Sequence, residues 1–296
     1  MELQWRVADA DVRSLVWGFV ERRDAVRTGA AVHFPMAYPH MQVSLEGRYR
    51  VELEGRFGTL PRGALWGSSF EGRRGEPAGK VRAFVAAFTF EGAALLLGGP
   101  PRIAAGRILD LDSLPSCASA GLIERLILAS SFETRVRIVE NFFRTLAAGP
   151  LPRFADSPVL ALSSAIATDG CRGPVGEIAR VAGLSERTLY NRLQLEIGCG
   201  PKRLLRVARL HRLLRTLHPC PLGGRPTVDP LLEFVDQAHM HREFVALTGV
   251  KPRAFVSGKS SSGDRLFHSL GAESPEREPQ SLLVVAKAAP LPQERR

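Results

Sequence analysis

The sequence predicts an α+β chain: a β-rich, sandwich- or barrel-like first domain with trailing helices, then an all-α domain. Three observations carry this prediction. Up to about residue 110, short runs rich in Val and Phe are punctuated by Gly and Pro. From about Ala118 the apolar spacing becomes helical. Finally, "SERTLYNRLQLEIGCGP" (185–201) shares its skeleton with "DQAHMHREFVALTGVKP" (236–252), 51 residues later. In this two-copy repeat Leu189 answers to Met240, Leu193 to Phe244, Gly198 to Gly249 and Pro201 to Pro252, so each copy is one supersecondary unit.

The expected strands are "AAVHFP" (30–35), "MQVSLEG" (41–47), "YRVELEG" (49–55), "ALWGS" (64–68) and "VRAFVAAFTFEG" (81–92). His33, Phe34, Tyr38, His40, Trp66 and Phe84 lie on or between them. These residues suit either a core or the lining of a sensor pocket. "AGLIERLILAS" and "FETRVRIVENFFRTLAAG" then read as helices, the second with Val136, Ile138, Val139, Phe142, Phe143 and Leu146 on a buried stripe. "GPLPRFADSP" (149–158) is the expected linker, dividing a sensor or dimerisation domain (1–150) from a second domain (158–257). The polar, proline-punctuated tail 258–296 is expected to be disordered.

In the second domain, "VGEIARVAGL" (175–184) reads as a short helix turned by Gly183. Ser185 or Asp236 caps the helix of each repeat copy by accepting from first-turn amides. Helix, glycine-containing turn and second helix form the helix-turn-helix pattern, whose second helix can enter the major groove of DNA. Between Cys171 and Ser257 there are 14 Lys and Arg against 7 Asp and Glu, so +7 of the whole-chain +10 falls there. "PKRLLRVARLHRLLRT" (201–216) is an amphipathic basic helix joining the two copies, with Lys202, Arg203, Arg206, Arg209, Arg212 and Arg215 expected to face phosphates.

These residues resemble the AraC family of bacterial transcription regulators over roughly residues 160–256. Members have two helix-turn-helix units joined by a long helix. Phe234, Asp236, Gln237, His239, Arg242, Phe244, Thr248, Gly249 and Pro252 fit the signature of the second unit. The first half is only loosely similar to the effector-sensing domains of such regulators. The resemblance makes Arg187, Tyr190 and Asn191 groove-facing in the first unit, and Gln237, Ala238, His241 and Arg242 in the second. Ser185, Thr188, Lys202 and Arg203 complete the DNA-contact set. Arg can fork onto guanine and Asn onto adenine; the family usually has Gln in place of Tyr190 and Arg in place of Asn191, so base preference should differ.

One segment departs from the family pattern. "RPTVDPLLEF" (225–234) puts Asp229 near a buried alanine position, Pro230 inside a helix and Glu233 where a turn glycine belongs. Proline in a helix interior costs about 3 kcal/mol. The expected partner is double-stranded DNA, with a small-molecule effector and RNA polymerase as further partners and a monomer or homodimer as the assembly. An interaction protein with a degenerate second unit and impaired DNA binding is the alternative.

No GxGxxG, P-loop or HExxH motif points to an enzyme. An enzyme fused to a DNA-binding module would call for a cysteine cluster near the start, and the first cysteine is Cys117. Cys117, Cys171, Cys199 and Cys220 lack metal or redox spacing and read as reduced thiols. His239 and His241 at i and i+2 diverge by roughly 200° on a helix, which speaks against a metal pair. No cofactor, no membrane segment and a cytoplasmic, nucleoid-associated location are therefore expected.

Overall fold

The computed structural model describes residues 2–27, 31–53, 55–150, 152, 154, 157–168, 171–217 and 233–256. Eight strands form one antiparallel sheet: β1 (Glu2–Val7), β2 (Val16–Arg27), β3 (Ala31–His33), β4 (His40–Leu53), β5 (Arg56–Thr59), β6 (Gly63–Trp66), β7 (Arg73–Phe88) and β8 (Ile108–Asp110). The main path runs β1-β2-β7-β4-β6-β8, with β3 on β7 and β5 on β4. The long strand β4 joins the two runs that the sequence reading separated at residue 48. It stays continuous by shifting register around Glu46, and such bulges bend a strand without ending it.

Strands β1, β2, β5 and β8 are not among those expected from the sequence, and β7 runs from Arg73 to Phe88 rather than over 81–92. The Thr89 hydroxyl accepts from Gly92 N at 2.9 Å and starts helix α1 (Phe90–Leu97) there.

Period-two alternation on β7 sends Phe84, Ala86 and Phe88 to one face and Val85 and Ala87 to the other. The first face packs on helices α3 (Leu122–Leu128) and α4 (Phe132–Ala148), where Val136, Val139, Phe142 and Phe143 are buried as the stripe predicted. Across that layer Glu21 of β2 accepts from the buried Arg135 of α4 at 2.9 Å and from Arg82. A short helix, α2 (Pro115–Ser119), precedes α3.

The opposite face carries the second domain. Helix α5 (Pro158–Ala167) docks on α1, where the Ser164 hydroxyl accepts from Phe90 N at 2.9 Å and donates to Glu91 at 2.5 Å. Helices α6 (Val175–Val181), α7 (Glu186–Glu196) and α8 (Pro201–Leu217) follow, and their apolar sides join one core with Val85 and Ala87. Helices α9 (Gln237–Thr248) and α10 (Pro252–Val256) form a separate small core with the end of α8. The expected order, a β-rich first domain with trailing helices and then an all-α domain, is thus realised with a single antiparallel eight-stranded sheet. The expected linker lies between α4 and α5. The tail 258–296, Cys220 and the departing stretch up to Leu232 lie outside the described residues.

Candidate nucleic-acid interface

The two repeat copies are built alike. Ser185 accepts from Thr188 N at 3.1 Å to open α7, and Asp236 accepts from His239 N at 2.5 Å to open α9. Leu189, Leu193 and Phe244 are buried, Met240 is half-buried, and Gly198 and Gly249 close both helices at φ 87° and 72°. Left-handed backbone of this kind suits glycine and little else.

Inward-facing leucines leave Arg187, Thr188, Tyr190 and Asn191 exposed on α7. Arg187 and Asn191 have no hydrogen-bond or ion-pair partner among the described residues. Two of the other expected contacts already have local work: the Ser185 and Thr188 hydroxyls lie 2.8 Å apart in the cap. The Tyr190 ring covers Gly200, whose added Cβ would come within 2.7 Å of it, and its hydroxyl accepts from Gln194 at 3.0 Å. On α9 Gln237, Ala238, His241 and Arg242 are exposed. His239 turns back instead, with its ring edge on Phe234 and its Nδ1 accepting from Val235 N at 3.3 Å.

The basic helix α8 differs from its sequence reading. Seventeen residues give it a length of about 26 Å, and Leu204, Val207, Ala208, Leu210 and Leu214 are buried as the pattern required. Most of its arginines, however, are engaged within the molecule. Arg203 donates to Glu71 at 2.7 Å and lies over the Phe70 ring, Arg206 donates to Glu243 at 2.7 Å, and Arg209 pairs with Glu233 at 3.6 Å. Arg212 is buried, 2% exposed, and its fork donates to both carboxylate oxygens of Glu233. Glu233 thus has a structural use at the position read from sequence as a misplaced turn residue. Lys202 stays exposed.

Contacts between the two halves place a second feature beside α8. The strap 32–36 sends Phe34 between Phe244 of α9 and Phe255 of α10, with ring centroids at 6.4 and 5.6 Å, and the buried His211 ring donates from Nε2 to the Pro35 carbonyl at 2.8 Å. Behind the strap lies a cleft of about 440 Å³, counted to its open mouth. His33, Phe34, Met36, His40, Gln42, Trp66, Gly67, Ser69, Glu71 and Arg73 line it. Of the six residues that suit either a core or a pocket, His33, Phe34, His40 and Trp66 line the cleft, whereas Tyr38 and Phe84 belong to the two cores. His33 meets the Tyr49 hydroxyl at 2.7 Å, and His40 stacks on Trp66 at 5.6 Å. Burial holds both imidazoles down to about 3, with Arg22 and Arg73 adding repulsion at His33, so both are neutral near pH 7. Among the described residues no group of three His, Cys, Asp or Glu side chains could hold a metal ion. No helix there is long and apolar enough to cross a membrane.

Residues 178–257 match the family described as a helix-turn-helix domain. No curated protein matches the chain. Among solved structures it is similar to unsaturated fatty acid-bound ToxT from Vibrio cholerae strain SCE256, at 9% identity and a TM-score of 0.48 over 87% of this chain and 100% of that one. ToxT from Vibrio cholerae O395 matches at 11% identity and 0.46 over 81% and 97%, and the AraC-like transcriptional activator CuxR at 16% and 0.28 over 72% and 86%. All three likenesses are distant. Over residues 178–257 the chain carries an AraC-type helix-turn-helix domain, the DNA-binding module of transcription regulators.

Proposed function

We propose that the chain is a sequence-specific regulator that reads two major-groove segments, one with α7 and one with α9, under the control of a small molecule bound by its first domain. The observation that carries the reading is the repetition of one presentation. Two equally capped helices bury their apolar side and expose side chains able to recognise bases, Arg187 and Asn191 on one and Gln237 and Arg242 on the other. Bidentate Arg–guanine and Asn or Gln–adenine contacts each contribute roughly 1–3 kcal/mol of discrimination. Phosphate contact falls to Lys202 and the helix starts at Ser185 and Thr188, with Arg203 joining if it leaves Glu71. His241 adds a contact beside Arg242.

The sensor role rests on the cleft and on its sharing the strap 32–36 with α9 and α10. DNA as partner implies a location with the nucleoid in the cytoplasm. RNA polymerase and a second copy are further partners to test. No motif in the sequence supports an enzymatic role.

The reading is tested by measuring binding of the purified chain to a labelled duplex across salt concentrations. Affinity should fall linearly on a double-logarithmic plot, by about 0.9 per phosphate neutralised, and Arg187→Ala should weaken a specific duplex far more than a random one. Equal loss on both duplexes would leave only non-specific attraction.

A further inference from the structure

From the cleft behind the strap we infer that the controlling ligand is a small organic anion, a carboxylate carried on a flat apolar body. The inference rests on the regulator reading above and specifies the chemistry of its effector. The two donors Arg73 Nη1 and Trp66 Nε1 line the cleft, are buried, and have no hydrogen-bond partner among the described residues. The other end of the Arg73 guanidinium donates to the Gly106 carbonyl, which fixes the group in place. Trp66 is 5% exposed, so its indole N–H has little recourse to solvent. Buried donors are normally satisfied, and a guanidinium paired with an indole N–H calls for an acceptor carrying negative charge.

The surrounding charges favour an anion too. Arg22 and Arg73 both act on His33, and both imidazoles are neutral. Glu71 is the one acidic side chain in the lining, and its Oε1 accepts from Arg203 at 2.7 Å, so its charge is already partly answered. Shape limits the rest of the ligand. Phe34, Met36 and the stacked His40–Trp66 pair make apolar and planar walls.

The position gives the ligand a means of control. It would touch Phe34, whose ring is wedged into the α9–α10 core, and Glu71, which holds Arg203 of α8. An anion on Arg73 would share the cleft with the Glu71 carboxylate and repel it, loosening its hold on Arg203. The first domain can thereby report occupancy to the helix that joins the two reading units.

The test uses the full chain with benzoate, benzamide, hexanoate and inorganic phosphate as probes. Binding is followed by thermal shift and by indole fluorescence. Benzoate should bind saturably, at least tenfold more tightly than its neutral isostere benzamide and than inorganic phosphate, and Arg73→Gln should reduce its affinity tenfold or more. Tighter binding of hexanoate than of benzoate would overturn the planar body. Equal binding of benzoate and benzamide, unchanged affinity in Arg73→Gln, or no saturable binding would overturn the anion. Duplex binding by wild type and Arg73→Gln without probe is measured alongside. DNA binding that persists while benzoate fails sinks the ligand class alone, and absent DNA binding sinks the regulator reading.

Discussion

Replacing Glu233 with Gln should loosen the second reading unit while sparing the first. Arg212 of α8 is 3% exposed at its side chain, and its fork donates to both oxygens of Glu233, which itself is 21% exposed. Removing one member of a buried pair costs about 3–5 kcal/mol, because the remaining charge stays out of water. Water reaches part of Glu233, and a glutamine oxygen still accepts one of the two bonds, so about 2–3 kcal/mol is the appropriate figure. The effect is local, since the pair joins α8 to the start of α9 rather than to the sheet. Hydrogen exchange followed by mass spectrometry should show amides of α9 exchanging about 30- to 150-fold faster, at 1.4 kcal/mol per factor of ten. Amides of α7 should be unchanged. Identical exchange in α9 of variant and wild type would refute the view that this pair holds the second unit.

Three further outcomes follow from particular contacts. Phe34→Ala empties a nearly buried aromatic site between Phe244 and Phe255. It should cost about 3–5 kcal/mol of packing between the strap and the second unit, read as a lower unfolding temperature and faster proteolysis within residues 233–256. Arg135→Ala leaves Glu21 with Arg82 as its remaining cation and takes the donor from the Leu126 and Ala129 carbonyls. It should destabilise the first domain by about 1–3 kcal/mol in urea unfolding, and an unchanged midpoint would contradict that packing. His40, held near 3 in the fold against an ordinary 6.5, binds fewer protons folded than unfolded between those values. Its contribution is therefore full above about pH 6.5 and is lost as pH falls toward 3. Thermal melts at pH 7 and pH 4.5 should show wild type losing more stability than His40→Gln.

The reading helices were legible because both their caps and their stops are local chemistry. Ser185 and Asp236, the apolar pairs four apart (Leu189 and Leu193, Met240 and Phe244), and the closing glycines at 198 and 249 act within one turn of their own positions. Much of the sheet was less so. Strand β2 reads "VWGFVERRDAVR", whose charges hid its alternation; Glu21 and Arg22 are buried in the fold, and Glu21 finds Arg135 only 114 residues away. The boundary at Thr89 was missed because an apolar β7 runs directly into an apolar α1, and periodicity alone does not divide such a run.

The basic helix shows a third kind of limit. Its amphipathic spacing was right, yet the acids that engage its arginines, Glu71, Glu233 and Glu243, come from three other segments. Surface charge read along one helix gives no account of partners folded onto it. Similarly, four of six pocket candidates line the cleft, but Arg73, the residue that defines its chemistry, sits in a polar run with no aromatic or histidine to draw notice.

The most direct test of two-unit reading is selection of bound duplexes from a random pool by the purified chain and by Arg187→Ala and Arg242→Ala. The wild type should enrich a motif of two half-sites about one helical turn apart, with each variant losing one half. Enrichment of a single half-site that survives Arg242→Ala would contradict a reading role for α9, and no enriched motif at all would contradict sequence-specific recognition.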